Sequence, residues 1–326
     1  MTVAIDSSGD TTKYGARRGG KTPTGSDLPY RVVLWVVTGF FASVMIVFAG
    51  SLVWNSIPGW QAAGLYFFYG TTWDSTIATF GALPFILGTL ITTVLAVLVA
   101  APLGIGGALA IVFVIPRRLR AVVSSLVELL AVIPSIIYGI WGYLVLLPLM
   151  DQKIQPWLAS KTGGHWPFAE QGVGKGLLLG SVILAVMILP TVTAISRDVL
   201  AGVPHDLVEG ALSLGATKGQ VLAKVVVPAA RPGLIGAVVL GTARALGETI
   251  ALTLVLGGAS PLHPIPTNLF ATLDTLATSI VNNWGDLTGS TSVGALYCLA
   301  LTLAVIVGTV NFSARRIIRR SARRLQ

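Results

Sequence analysis

Between Arg197 and Leu234 the chain reads RDVLAGVPHDLVEGALSLGATKGQVLAKVVVPAARPGL. The segment is too polar to cross a bilayer and too regular in its apolar spacing for a plain loop. Pro204 and His205 followed by Asp206 read as a helix start with Asp206 as the cap. Leu207, Val208, Ala211, Leu212 and Leu214 give that helix its apolar side. Gly215 ends it, because the left-handed turn residue is least costly as glycine. Thr217 caps a second helix carrying Val221, Leu222, Val225 and Val226, and Pro228 ends that one. The expectation is two short helices around a sharp turn, lying at a membrane surface. On pattern alone an amphipathic interfacial linker fits equally well.

The flanks supply the membrane. Of 326 residues, 54% are hydrophobic and only 11% charged, against roughly a quarter charged in a soluble domain. That excludes a disordered chain and argues against a soluble enzyme. A helix needs about 20 apolar residues to cross the hydrocarbon core. Six runs qualify: Val32–Val53, Ala82–Ile115, Val122–Met150, Gly176–Ser196, Leu234–Gly258 and Val293–Val310. The second is too long for one straight span, and Pro84 and Pro102 predict a kink or an interfacial entry. The fold class expected is an all-α integral membrane protein with six transmembrane helices.

Basic residues orient it. Five lie before the first span (Lys13 to Arg31), three between spans two and three (Arg117, Arg118, Arg120), four between spans four and five (Arg197, Lys218, Lys224, Arg231) and six after the last (Arg315 to Arg324). The opposite side carries only Lys153, Lys161 and Lys175. The positive-inside rule puts both termini in the cytosol and accounts for the net charge of +9 without a nucleic-acid partner. Residues 1–30 read as a disordered cytosolic tail with no cleavable signal, 31–313 as the membrane domain with 197–231 as its large cytosolic loop, and 314–326 as a basic cytosolic tail. Outside, Pro58–Gly81 is aromatic-rich as in an interfacial belt, and Thr267–Val281 is patterned as a helix packed on the bundle or its interface.

Charges inside the spans are costly and point to a cavity or a partner. Arg244 and Glu248 lie four apart on span five, hence on one helix face. They read either as an ion pair locking that span, or as an anion-attracting guanidinium with a carboxylate that holds its charge when no anion is present. Glu128 reads as the structural partner of a basic residue or of a backbone donor, and Pro134 as a kink that would let Ser135 line the opened helix. His165 and His263 are isolated, and the single Cys298 permits neither an intrachain disulfide nor a Cys-based metal site.

Glu209-Gly210-Ala211, three residues, Gly215, nine residues, then Val225-Val226-Val227-Pro228 resembles the loop signature of import-type ABC permeases, which runs Glu-Ala-Ala, three residues, Gly, nine residues, Ile-x-Leu-Pro. Gly210 replaces the first Ala, and valines replace Ile and Leu. GTARALGETIALTLVLG, Gly241 to Gly257, resembles the permeases of phosphate-specific ABC importers, and VELLAVIPSIIYGIWG, Val127 to Gly142, resembles their PstC type. The likeness covers roughly residues 30 to 318.

The resemblance implies the type I ABC importer permease fold in a prokaryotic cell membrane. It implies a phosphate pathway through Arg244 and Glu248, and docking of an ATPase subunit on the loop through Glu209, Ala211, Gly215 and Pro228. It implies as partners a paralogous PstA-type permease, an ATPase dimer and an external phosphate-binding protein. No GxxxxGK[ST] run is present, so ATP would be bound and hydrolysed by a separate chain; the chain itself needs no cofactor and is no enzyme. The alternatives are a permease for molybdate or another oxyanion, and a secondary anion transporter, which gives no reason for the loop spacing.

Overall fold

A computed structural model of the chain describes residues 28–163, 165–168, 173–258, 265–266, 268–287 and 289–323. The expected tail of residues 1–30 therefore lies, up to residue 27, outside the described residues, as do His263 and Thr267. The chain forms two compact units, Met1–Ser51 and Leu52–Gln326. The described part of the first is a stretch of helix α1 (Leu28–Ala63), whose apolar side chains from Leu28 to Phe48 are exposed.

The second unit begins with the end of α1, followed by α2 (Tyr66–Tyr69) and a two-residue antiparallel pair, β1 (Trp73–Asp74) with β2 (Thr79–Phe80). The aromatic segment forms a core of its own: Phe67 and Phe80 are fully buried, and Trp60, Phe67 and Phe68 pack together, as do Trp73, Phe80 and Phe85. Helix α3 (Leu83–Leu109) runs on through a π turn, Ala110–Val114. Pro84 sits in its first turn, where a missing N–H costs nothing, and Pro102 is carried inside it. Helix α3 packs most extensively on α8 (Leu177–Ala201). Ala96, Ala100, Gly104 and Ala108, four apart and all buried, let the two backbones approach.

Two of the expected spans are broken. Helix α4 (Arg117–Val132) stops at Ile133-Pro134, and the chain turns by 88° into a second helical run, Ser135–Thr162. That run comprises α5 (Ser135–Trp141), α6 (Leu147–Leu149) and α7 (Gln155–Thr162), joined by π turns. Proline disfavours a helical residue before it and has no N–H to give, so the helix ends there. Among the described residues, five helices are long and apolar enough to cross a membrane, and the bent pair makes up to six. The chain is thus an all-α, multi-span membrane protein, with one two-residue β pair among the described residues.

The fifth span departs further from expectation. Helices α9 (His205–Ser213) and α10 (Lys218–Val221) form the expected hairpin, but Pro228 does not end the second helix. A π turn, Leu222–Val226, leads straight into α11 (Val227–Leu246), and Pro228 falls in its first turn. The Val227 N–H reaches back five residues to the Leu222 carbonyl, so the wider turn absorbs the donor that proline lacks. The helix then breaks at Gly247–Thr249 and resumes as α12 (Ile250–Leu256). Helix α13 (Leu276–Asn282) is shorter than the pattern over Thr267–Val281: the Asn268 side chain accepts from the Phe270 N–H and turns the chain before the Thr275 cap. α14 (Ser290–Arg323) continues through residue 313 without interruption.

The half-helices that follow the two breaks pack together. A Cβ on Gly139 of α5 would stand 2.7 Å from the Cα of Ala251 on α12. Replacing Gly139 with Val should therefore overpack this contact by about 1–3 kcal/mol and lower the melting temperature of the purified permease, with Ala intermediate. Unchanged melting of the Val variant would refute this close approach.

Candidate functional site

Breaking a helix inside an apolar layer leaves carbonyls at one end and N–H groups at the other without partners. The side chains singled out in the sequence serve these ends. Arg244, in the last turn of α11, sends Nη1 across to the carbonyl of Ala131 in α4 (3.1 Å) and to Oγ1 of Thr191 in α8 (2.9 Å). The Tyr138 hydroxyl of α5 donates to the neighbouring Leu130 carbonyl (2.8 Å). The C-terminal end of α4, negative by its dipole, thus holds a guanidinium and a phenol.

Glu248 is buried at the second break, where its Oε1 accepts from the Ala251 N–H at 3.1 Å and so caps the start of α12. Arg244 and Glu248 are therefore not on one helix face. Gly247 and Thr249, the latter at φ −120° and ψ −61°, unwind the turn between them, and the two side chains form no ion pair. Each charge sits at the helix end whose dipole suits it. Ser135 is the first residue of α5, at the mouth of the α4 break, and makes no hydrogen bond to either charge. Glu128 has the basic partner expected of it: Arg197 of α8, at 2.8 Å.

Sequence reasoning missed Ala131, Tyr138 and Thr191. The signals were present but indirect. Pro134 marks the break, Tyr138 stands one turn beyond it, and Gly247 directly precedes Glu248.

The second candidate element is the α9–α10 hairpin. Asp206 lies in the first turn of α9, but the cap position is Pro204, which offers no side-chain acceptor. The C-terminal turn is a Schellman motif: the Ala216 N–H reaches the Ala211 carbonyl, the Gly215 N–H reaches Leu212, and Gly215 has φ +83°. Thr217 and Gln220 then form a complete capping box. Val208, Ala211 and Ala216 on the underside pack onto a core of Leu200, Val203, Val221, Val226 and Leu234. Glu209, Leu212 and Leu214 face outward, Leu214 with 90% of its surface exposed. The hairpin is a fixed stub with an apolar tip.

Known proteins with this plan are numerous. Residues 100–326 match the family of binding-protein-dependent transport system inner membrane components. The phosphate transport system permease protein PstC of Mesorhizobium japonicum is 41% identical over 86% of this chain and 87% of its own length. PstC of Xylella fastidiosa strain Temecula1 is 35% identical over 93% and 96%. Among solved structures, a bacterial alginate ABC transporter in complex with an alginate pentasaccharide-bound periplasmic protein aligns with a TM-score of 0.56 over 88% of this chain and 94% of the matched one, at 17% identity, a likeness of fold alone. That fold is the type I ABC importer permease plan, and with relatives this similar over nearly their whole length the chain belongs to the PstC-type permease subunits of phosphate transport systems.

Proposed function

We propose that the chain is the PstC-type half of the translocation pathway of an ATP-driven inorganic phosphate importer. It spans the cell membrane six times, counting the bent α4–α5 run as one span, with both termini cytosolic, a reading supported by the distribution of basic residues. The membrane domain covers residues 31–313. A PstA-type permease completes the pathway, an ATPase dimer docks on the 197–231 loop, and an external binding protein delivers the anion. The relatives named for their substrate are phosphate permeases, which favours phosphate over molybdate, and the hairpin favours an ATP-driven system over a secondary transporter.

One observation carries this reading: the guanidinium of Arg244 is held by a carbonyl and a hydroxyl, both uncharged. A phosphate dianion outcompetes such acceptors, since it adds the Coulomb attraction of opposite charges and a two-oxygen match to the guanidinium fork. Ser135, at the same break, adds a hydroxyl in this reading. Glu248 contributes negative potential that keeps the anion from being trapped.

Arg244→Gln should cut phosphate uptake into proteoliposomes holding the whole complex by one to two orders of magnitude, the weight of an interaction of about 1.5–3 kcal/mol, with assembly intact. Arg244→Lys should also be impaired, because a point charge does not replace a fork. Normal uptake by the Gln variant would end the pathway reading.

Glu248→Gln separates capping from electrostatics. The amide Oε1 still accepts from the Ala251 N–H, so melting should stay unchanged while uptake falls. Wild-type turnover would leave Glu248 as a cap alone.

Gly215→Val tests the docking stub. A β-branched residue at φ +83° costs roughly 1–2 kcal/mol. The permease should insert as before, and less ATPase should co-purify with it. Undiminished ATPase recovery and transport would remove the coupling role of the hairpin.

A further inference from the structure

We propose that Arg197 is a second anion station on the phosphate pathway, where the anion leaving Arg244 displaces Glu128 before release on the ATPase side. The proposal rests on the pathway reading of Arg244. Both arginines bridge the same two helices. Arg244 binds Ala131 of α4 and Thr191 of α8; Arg197 belongs to α8 itself and binds Glu128 of α4. Along α8, Arg197 lies six residues beyond Thr191, about 9 Å further toward the end that carries the hairpin. Along α4, Glu128 lies three residues, about 4.5 Å, from Ala131. Counted from the first residue of α8, Arg197 is about 30 Å along the helix, the thickness of the hydrocarbon core. It therefore stands where the pathway meets water.

The chemistry of the pair suits exchange. Asp198 Oδ1 accepts from Nε (2.9 Å) and Nη2 (2.6 Å) of Arg197 and fills one edge of the fork. Glu128 holds the other side through a single bond from Nη1 at 2.8 Å. The Arg197 side chain is only 16% exposed, whereas Glu128 is 56% and Asp198 67% exposed. The cation is thus lodged between helices and oriented by its own neighbour, while the carboxylate across from it is solvated and free to swing away. A dianion can take over Nη1 with the geometry a guanidinium offers to phosphate oxygens. The return of Glu128 would then expel it. A bond made only to hold α4 against α8 gains little at this exposure.

The test uses proteoliposomes containing the full complex, with uptake normalised to assembled complex. The double variant Arg197→Gln, Glu128→Gln keeps an amide–amide hydrogen bond and removes the cation. It should melt like the parent and lose about tenfold in maximal uptake, the weight of one charge-assisted hydrogen bond. Arg197→Lys keeps an ion pair with Glu128 and hence the bridge, but loses the fork, and should lose uptake similarly; a purely structural bridge would be rescued by it. Glu128→Gln alone leaves the station without its competing carboxylate, so phosphate added on the ATPase side should inhibit uptake at several-fold lower concentration. Wild-type uptake in the lysine variant, or unchanged product-side inhibition in Glu128→Gln, overturns the proposal. Arg244→Gln run alongside separates the two failures. If it is inactive while the Arg197 variants behave as wild type, only the second station falls; if it transports normally, the pathway itself is misassigned.

Discussion

A peptide group inside an apolar layer must be hydrogen-bonded, and here the chain interrupts two of its spanning helices. Every other feature of the site follows from how those interruptions are closed. Each unpaired backbone group would cost several kcal/mol in hydrocarbon. The α4 carbonyls are therefore taken by Tyr138 and Arg244, and a free N–H of α12 by Glu248. The groups that close the breaks include the charges a transported anion would meet. Opening the site to an anion and loosening the helix ends are thus the same event, which ties occupancy to conformation without a separate device.

The continuity of the fifth span gives that event a handle. Because the π turn at Leu222–Val226 passes Pro228 without breaking the helix, Lys218 to Leu246 is one rod of 29 residues, about 43 Å long. The Schellman turn and capping box fix the hairpin to one end; Arg244 sits near the other, touching α4 and α8. On the proposed coupling role, tilting the stub would shift the guanidinium against its two acceptors. A movement of 1 Å is enough to spoil bonds of 2.9–3.1 Å. Had Pro228 ended the helix, as its sequence position indicated, this lever would be a joint.

The spans, the hairpin with its Gly215 turn and Thr217 cap, and the basic partner of Glu128 were legible because each depends on local composition or on one unpaired charge. What was not legible depends on helix continuity. Pattern counting treats Leu234–Gly258 as one run because every residue in it is tolerable in a helix; Gly247 and Thr249 break it only because the packing of α12 on α5 and α8 repays the lost turn. The same limit works in reverse at Pro228, where a neighbouring π turn rescues continuity. Over Thr267–Val281 the periodic leucines were read as one helix, yet Asn268 and Thr275 offer local side-chain bonds that compete with it over the first half. Partners such as Thr191 come from helices distant in sequence, and no spacing rule reaches them.

The choice of partners for Arg244 has a further consequence. A buried arginine paired with a carboxylate is stable against exchange, because removing either member strands a charge at a cost of about 3–5 kcal/mol. An arginine held by a carbonyl and a hydroxyl is stable enough to persist, since a hydrogen bond to a charged group is worth about 1.5–3 kcal/mol, yet it presents no formal negative charge for an incoming anion to displace. By using Glu248, inside the break, to cap the start of α12, the fold keeps a negative potential near Arg244 without letting the two neutralise each other. The carboxylate that pairs with an arginine of another helix, Glu128, lies where both its exposure and its distance from the α4 break make the pair easiest to open. On the proposed pathway, the separation of a neutral-held cation in the interior from a carboxylate-held cation at the rim would give a direction: an anion would be accepted where it displaces no charge and released where a charge waits to replace it.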